Sequence, residues 1–285
     1  LVGRDRRKPD ARGLTAPRRR IDAAPAIRHQ IRVRNQPGPP MKPFLILQLR
    51  PEAEASDDEY AAILHKGGLT ATRTRRIRLD RDPLPKELHL EDYSGVIVGG
   101  GPGCVSDPPE KKSPVESRIE EAVLGLMPAI TAADFPFMGC CYGIGVLGHH
   151  LGAAVTKERF SEPVGTADCR QTAEGAADPL LQGLPDRFDA FVGHKEALQT
   201  LPEGCAHLLS SPTCPYQMIR FGRNVYATQF HPEADSEGFA LRIRIYRNKG
   251  YFAPEEADSL IAMCHAADVQ MPERILRNFV QTYQR

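Results

Sequence analysis

The sequence lacks any apolar run that approaches the ~20 residues of a membrane-spanning helix. It also lacks a C-x-x-C pair, and its seven cysteines are odd in number and irregularly spaced, which argues against both a disulfide framework and a zinc site. We therefore expect a soluble protein of the reducing cytoplasm that contacts no membrane and needs no metal and no cofactor.

The net charge of +1 hides an uneven distribution of basic residues. Residues 1–40 contain 11 Lys and Arg and 3 Asp and Glu, a net charge of +8, so the rest of the chain carries −7. This segment has scattered Pro and Gly and no periodic apolar face, and we predict that it is disordered. Nucleic-acid contact by the segment is the less favoured alternative, and no other nucleic-acid partner is expected.

From residue 44 onward, apolar strands alternate with helical patterns. Strands are predicted at 44–49, 70–79, 95–98 and just before Cys140, and helices at 57–66 and from Pro114, with Ser113 as its N-cap. This alternation predicts an α/β fold with a mostly parallel sheet and helices on both faces. A hairpin over 216–230 and helices at 236–248, 254–267 and 272–283 follow.

A glycine-rich loop follows the strand at 95–98. Its sequence, G-G-G-P-G at 99–103, allows the backbone to approach a ligand closely and to present N–H groups to it. The loop lacks the G-x-x-x-x-G-K-[ST] pattern of phosphate loops. Taken alone, a plain surface turn is an equally good interpretation.

The central motif is G-C-C-Y-G at 139–143, between an apolar strand and an apolar helix. Gly139 and Gly143 flank Cys141 in the G-x-nucleophile-x-G arrangement, where a Cβ at either glycine is expected to collide with backbone. The residues two positions before and two positions after Cys140 are bulky, so Cys140 is predicted to point into the core. The helix N-terminus is expected to favour the thiolate of Cys141. The alternative is a buried structural thiol.

A second motif, F-H-P-E, ends the last predicted strand. Residues two apart on an extended backbone share a face, so His231 and Glu233 are expected to project together. A carboxylate beside an imidazole fixes its tautomer and stabilises the imidazolium. Without Cys141 and Glu233, His231 would be interpreted as an ordinary histidine at a strand end.

In this order, G-G-G-P-G, G-C-C-Y-G and F-H-P-E resemble the motifs of class I glutamine amidotransferases, especially the glutaminase domain of GMP synthase and its stand-alone relatives. The resemblance covers about residues 41–250 and implies a flavodoxin-like sheet. Residues 251–285 are expected to form a helical C-terminal extension.

The resemblance implies the catalytic roles. Cys141 would attack the side-chain amide of L-glutamine, His231 would act as general base and then as general acid, and Glu233 would orient His231. A γ-glutamyl thioester would form and be hydrolysed to glutamate. Backbone N–H groups of Gly101 and Tyr142 would form the oxyanion hole.

Substrate binding is expected from Gly100 and Glu196, and Glu196 would hold the α-amino group. Two positions depart from the family pattern. Gly145 stands where many members have Gln. Glu196 stands where many members have the Asp of an H-x-D motif. These departures keep open a second hypothesis, that the substrate is a γ-glutamyl peptide or another amide. A third hypothesis is a binding or regulatory module without catalysis.

The sequence contains no S-G-G-x-D-S nucleotide-binding signature, so synthetase activity within this chain is not expected. The ammonia is therefore expected to pass to a separate synthetase subunit. A homo-oligomer is left open.

Overall fold

The computed structural model of the chain describes residues 41–285, so the segment predicted to be disordered lies outside the described residues. The first half contains strands β1 (Phe44–Gln48), β2 (Thr74–Arg78), β3 (Gly95–Val98) and β4 (Phe137–Cys140), and helices α1 (Ala53–Gly67), α2 (Pro114–Ala132) and α3 (Tyr142–His150). The second half contains strands β5 (Val155–Thr156), β6 (Glu162–Gln171), β7 (Arg187–His194), β8 (Ala197–Leu198), β9 (Cys205–Ser210), β10 (Met218–Phe221) and β11 (Val225–Thr228), and helices α4 (Ala173–Ala176), α5 (Ser236–Tyr246), α6 (Ala257–Ala266) and α7 (Glu273–Tyr283).

Nine of these strands form one sheet in the order β2-β1-β3-β4-β11-β10-β9-β6-β7. The neighbours from β2 to β11 are parallel, and those from β11 to β7 are antiparallel. The remaining two strands, β5 and β8, pair separately. The predicted α/β class with helices on both faces of the sheet is confirmed.

Side chains of β1 alternate between the two faces of the sheet. Leu45 and Leu47 pack in a cluster with α2 and α3, whereas Phe44 and Ile46 pack in a second cluster with α1 and α7. All four are fully buried. A strand covered on both faces has no polar face, which explains the continuous apolar run in its sequence.

The predicted element boundaries differ from the observed ones where local signals compete. Helix α1 begins at Ala53, four residues before the predicted start, because no breaker lies between Pro51 and the first predicted helical residue. Strand β2 begins at Thr74, because 71–73 form a 3₁₀ turn. Ser113 caps α2 as predicted and forms a capping box with Glu116.

The C-terminal helices complete the core. Helix α7 places Ile275, Leu276, Phe279 and Val280 in the cluster that also contains Phe44, and the rings of Phe279 and Phe44 lie 6.1 Å apart. The predicted helical extension is therefore present, and its last helix covers one face of the sheet. Within residues 41–285, none of the helices has the length and apolar character that a bilayer crossing requires.

The register of the parallel strands brings three loops to one edge of the sheet. Val98 of β3 pairs with Gly139 of β4, and Cys140 of β4 pairs with Thr228 of β11. The glycine loop after β3, the residue after β4 and the segment after β11 therefore emerge side by side. The carboxyl ends of parallel strands are where α/β proteins bind ligands.

Candidate active site

Cys141 lies in a strained turn between β4 and α3. Its φ of 54° and ψ of −89° are unusual for a residue with a side chain, and such a conformation costs about 1–3 kcal/mol. The Cys141 N–H donates to the Thr228 carbonyl at 2.8 Å, and the Ile144 N–H donates to the Cys141 carbonyl at 3.1 Å. These bonds hold the turn in the nucleophile-elbow geometry.

The elbow agrees only in part with its sequence prediction. Cys140 is 1% exposed and lies in the core as predicted, whereas Cys141 is partly exposed. A Cβ at Gly139 would lie 2.9 Å from the Gly143 Cα, so the predicted steric need for glycine is confirmed there. The same prediction is wrong for Gly143, because a Cβ there would meet nothing within 4 Å. The backbone of Gly143 approaches Gly139 through its Cα, whereas a side chain at Gly143 would point into open space.

His231 and Glu233 form a hydrogen-bonded pair after β11. His231 Nδ1 lies 2.9 Å from Glu233 Oε1, so Nδ1 donates to the carboxylate and Nε2 keeps its lone pair. The prediction that both residues lie on extended backbone is wrong, because β11 ends at Thr228 and the Ala234 N–H donates to the His231 carbonyl at 3.1 Å. A turn, instead of a strand, brings the two side chains together.

Arg242 of α5 is a third member of this group, and the sequence analysis did not identify it. It is 4% exposed. Its Nη1 donates to Glu233 Oε1 at 2.9 Å and lies 3.3 Å from His231 Nδ1. Helical periodicity could have revealed it, because Phe239 and Tyr246 of α5 are buried three residues before and four residues after Arg242.

Arg50 is a second buried cation that the sequence analysis missed. It follows β1 at the same sheet edge and is 5% exposed. Arg50 Nε donates to Glu59 Oε2 at 2.8 Å, and Nη1 donates to the hydroxyl of Tyr246 at 3.3 Å. A charged residue directly after a buried apolar strand was the available signal.

The electrostatics of the site favour a neutral thiol beside a neutral imidazole. Burial raises the pKa of Cys141 to about 12, although Arg50 opposes this. This direction is opposite to the preference for thiolate that was predicted from the helix N-terminus. Burial lowers the pKa of His231 against the opposing effect of Glu233. Burial also opposes ionisation of Glu233, but His231 and Arg242 outweigh it and lower the pKa of this carboxyl group.

Cys141 and His231 line one cavity of about 50 Å³, together with Arg50, Gly101 and Tyr251. This cavity gives the imidazole and the sulfur a common open space. With Cys141 neutral and His231 neutral, the arrangement suits general-base activation of the thiol by Nε2.

A second cavity of about 20 Å³ is lined by Cys141, Gly101, Tyr142, Lys195 and Glu196, among others. The predicted oxyanion donors Gly101 and Tyr142 are thus both beside Cys141. Tyr142 is the first residue of α3, where the backbone N–H has no acceptor within the helix.

A larger groove of about 470 Å³ adjoins these cavities, and Gly101, Tyr142 and Tyr251 belong to its walls. Tyr251 lines all three spaces. The sequence analysis assigned Tyr251 to the C-terminal extension and gave it no role in the site.

Gly100 packs against the side chains of His231 and Arg50. A Cβ at Gly100 would lie 2.5 Å from His231 Cε1 and 2.8 Å from Arg50 Nη2. The backbone at Gly100 therefore closely approaches protein side chains, whereas the sequence analysis expected the loop to approach a ligand. A substituent at this position would meet the imidazole ring first.

Glu196 reaches from the segment after β7 to the end of the glycine loop. Its Oε1 accepts from the Val105 N–H at 2.9 Å, and its Oε2 accepts from the Ser106 N–H at 2.8 Å. A Cβ at Gly145 would lie 2.8 Å from Glu196 Oε1. The two departures from the family pattern are thus in contact, and the Glu196 carboxylate occupies space that a longer residue at 145 would need.

Among residues 41–285, the side chains of Glu162, His194 and Cys214 lie close enough together to hold a metal ion. The polar side-chain atoms of Glu162 and His194 are already engaged, however. Glu162 accepts hydrogen bonds from His194, Ser211, Thr213 and Gln217, and His194 Nδ1 donates to the Glu196 carbonyl at 2.9 Å. This buried network therefore anchors the segment that carries Glu196.

Comparison with known proteins gives a consistent family match. The family model for glutamine amidotransferase class-I matches residues 57–244. GMP synthase (glutamine-hydrolyzing) of Thermosipho melanesiensis is 32% identical over 163 residues, which cover 57% of this chain and 28% of that protein. The protein of the same name from Lactobacillus delbrueckii subsp. bulgaricus is 31% identical over 179 residues, which cover 60% of this chain and 32% of that protein. The chain therefore matches about a third or less of these curated relatives.

Solved structures show the same fold. A glutamine amidotransferase from Thermotoga maritima superposes with a TM-score of 0.67 at 18% identity, covering 85% of this chain and 98% of that one. A glutamine amidotransferase from Methylobacillus flagellatus superposes with a TM-score of 0.63 at 22% identity, covering 86% and 96% of the two chains.

Proposed function

The chain belongs to the class I glutamine amidotransferase family, and from this premise we propose that it is a glutaminase in which Cys141, His231 and Glu233 hydrolyse the side-chain amide of glutamine. The observation that carries the proposal is the hydrogen-bonded His231 and Glu233 pair on the same cavity as Cys141, which lies at a strained elbow.

The first half of the reaction forms the thioester. Nε2 of neutral His231 takes the thiol proton while Sγ of Cys141 bonds to the amide carbon, and the carbonyl electrons move onto oxygen. The N–H groups of Gly101 and Tyr142 stabilise that oxyanion. The imidazolium, stabilised by Glu233, then protonates the amide nitrogen, the C–N bond breaks and ammonia leaves.

The second half releases glutamate. His231 takes a proton from water, the hydroxide equivalent attacks the γ-glutamyl thioester, and the C–S bond breaks as the proton returns to sulfur. The enzyme is regenerated with a neutral thiol, which is the form that burial of Cys141 favours.

The test is glutamate release from glutamine by the wild type, Cys141→Ala and Cys140→Ala. Cys141→Ala is expected to lose about 10⁴-fold or more in kcat. Cys140→Ala is the matched control, because it removes a neighbouring buried thiol that lies in the core and should keep activity within severalfold. Equal rates for the wild type and Cys141→Ala would reject the proposal.

We further propose that the ammonia is used by a separate synthetase subunit, as in a GMP synthase. This rests on the names of the curated relatives. Co-purification from the native cell, followed by an ammonia-transfer assay with nucleotide substrates, tests it. An unchanged glutaminase rate and no ammonia transfer with every co-purified protein would contradict it.

A second candidate substrate is a γ-glutamyl peptide or another amide, because Glu196 and Gly145 form a contact that departs from the family pattern. Comparing kcat/KM for glutamine with that for γ-glutamyl dipeptides tests it. Faster turnover of free glutamine would exclude the second candidate.

A further inference from the structure

Lys195 is an unpaired cation at the edge of the proposed active site. Its Nζ lies 4.2 Å from the centroid of the Tyr251 ring, and no carboxylate of residues 41–285 lies within ion-pair distance of it. Lys112, Lys157 and Lys249 of the groove of about 470 Å³ each pair with an acidic residue, and Lys111 lines that groove but not the cavity of about 20 Å³. The charge of Lys195 is therefore available to an anion.

Tyr251 fixes the position of this cation. Its hydroxyl donates to the Pro102 carbonyl in the glycine loop at 2.8 Å, and its ring packs 5.8 Å from that of Tyr246. The aromatic face holds the Lys195 ammonium by a cation–π contact. Lys195 is thus placed on the small cavity that Cys141 and Glu196 also line.

The two other cations at the site are already engaged. Arg50 bonds to Glu59, and Arg242 bonds to Glu233. Lys195 and Glu196 therefore supply a positive and a negative charge beside Cys141 that are not part of an ion pair within residues 41–285, although the Glu196 carboxylate accepts hydrogen bonds from two backbone N–H groups. A free α-amino acid presents the same two charges, with reversed signs, on one carbon atom.

We propose that Lys195, held on the ring of Tyr251, binds the α-carboxylate of the substrate and restricts the enzyme to glutamine with a free α-carboxylate. This inference rests on the glutaminase function proposed above. It assigns Lys195 as a specificity-determining residue, and it excludes glutamine whose α-carboxyl is in a peptide bond. The adjoining groove of about 470 Å³ also has Lys195 and Tyr251 in its wall, and it leaves room for the α-carboxylate end of the substrate beside them.

The test compares L-glutamine with L-glutaminamide, in which an uncharged carboxamide replaces the α-carboxylate. Side-chain hydrolysis is followed by chromatography of the acid product, glutamate or isoglutamine. Lys195→Met is expected to raise KM for glutamine about 10- to 100-fold, the effect of losing a charge-assisted hydrogen bond, with kcat within about twofold. KM for glutaminamide is expected to stay unchanged.

Two further variants separate charge from packing. Lys195→Arg keeps a cation on the ring and should retain most of the preference for glutamine. Tyr251→Leu removes the ring, so it should reduce the preference partway, whereas Tyr251→Phe should keep it. An equal ratio of kcat/KM for the two substrates in wild type and Lys195→Met would overturn the inference.

Binding to Cys141→Ala separates this inference from the proposed function. Calorimetry in that background measures Kd for both compounds without turnover. Preferential binding of glutamine that Lys195→Met abolishes supports the role of Lys195 even if the wild type hydrolyses neither compound. Glutaminase activity without discrimination at the α-carboxylate would overturn the role of Lys195 and leave the glutaminase proposal standing.

Discussion

At the scale of single residues, the position of His231 depends on the absence of a side chain at Gly100. A methyl group there would lie 2.5 Å from the imidazole Cε1. Because His231 is also bonded to Glu233, the ring cannot move away without breaking that bond. We expect Gly100→Ala to lower kcat by about 10²-fold, since a misplacement of about 1 Å has an effect of this size. Steady-state glutaminase kinetics would measure it.

The control for this prediction is in the same loop. A Cβ at Gly103 would lie 3.5 Å from Tyr142 Cε2, an ordinary contact, and its φ is not positive. Gly103→Ala should therefore keep kcat within about threefold. Equal losses in the two variants would show that the loop tolerates no alanine and that contact with His231 is not the cause.

Gly145 and Glu196 should behave as a coupled pair. Gly145→Ala would place a Cβ 2.8 Å from Glu196 Oε1, a carboxylate oxygen fixed by the Val105 and Ser106 amides. We expect this variant to raise KM about tenfold, because displacing the carboxylate breaks hydrogen bonds to a charged group. In a Glu196→Asp background the shorter acid leaves room, so the same alanine should have a smaller effect. A double-mutant cycle should give a coupling of about 0.5–3 kcal/mol.

Gly125 provides the comparison for that cycle. It lies in α2, and a Cβ there would meet nothing within 4 Å. Gly125→Ala should combine additively with Glu196→Asp. If Gly145→Ala also combined additively with Glu196→Asp, the contact between Gly145 and Glu196 would contribute no measurable coupling energy.

Arg242 should set the acidic limit of activity. In the proposed mechanism His231 is the general base and must be neutral. The Arg242 charge contributes to lowering the pKa of His231, although burial is the larger cause. Removing that charge in Arg242→Met raises the pKa of His231, so the acidic limb of kcat/KM should move to higher pH. Arg242→Lys keeps a charge and should stay closer to the wild type. An unmoved acidic limb in Arg242→Met would contradict this role.

At the scale of elements, α7 belongs to the core although it is the last helix of the chain. Phe279 is fully buried and packs against Phe44 of β1. Phe279→Ala should lower the free energy of unfolding by about 3–5 kcal/mol, as for other large core aromatics. Urea unfolding followed by circular dichroism would measure it. The exposed Gln281 is in the same helix, and Gln281→Ala should change the free energy by less than about 0.5 kcal/mol.

The elements that the sequence predicted well are those with local signals. Ser113 and Glu116 specify the start of α2 within four residues, and the apolar run of β1 is continuous because both of its faces are covered. The end of β11 was predicted wrongly, because the turn that joins His231 to Glu233 depends on α5, whose Arg242 bonds to the pair.

The same distinction holds for the site. Cys141, His231 and Glu233 lie in short motifs that could be identified from the chain alone. Tyr251 could not, because the path of the chain after α5 brings it to Cys141 from a distant position. Arg50 has a sequence signal, a charge directly after a buried apolar strand, but its place beside Cys141 depends on the strand order. Long-range contacts of this kind leave no periodic pattern in a single sequence.

At the scale of the whole molecule, the buried charges predict how stability depends on pH. The pKa of His231 is lowered from 6.5 by burial, so the unfolded chain takes up this proton before the folded one does. Stability from this group is complete above about pH 6.5 and is lost as the pH falls below it. Burial opposes ionisation of Glu162, but its hydrogen bonds from His194, Thr213 and Gln217 lower its pKa below 4.5. Its contribution, like that of Glu233, is lost only below about pH 4.5.

We therefore expect the free energy of unfolding to fall in two stages between pH 8 and pH 3.5, with the second stage steeper because two buried carboxylates contribute to it. Urea titrations at half-unit intervals would measure this. His231→Gln should reduce the first slope, and His150, whose pKa is also lowered by burial, accounts for the part that remains. The second slope should become shallower but persist, because His231 contributes to lowering the pKa of Glu233, whereas Glu162 keeps its own hydrogen bonds. A single transition below pH 4.5, the same in the wild type and in His231→Gln, would mean that His231 has the same pKa in the folded and unfolded chains. That outcome would contradict the lowering of its pKa by burial.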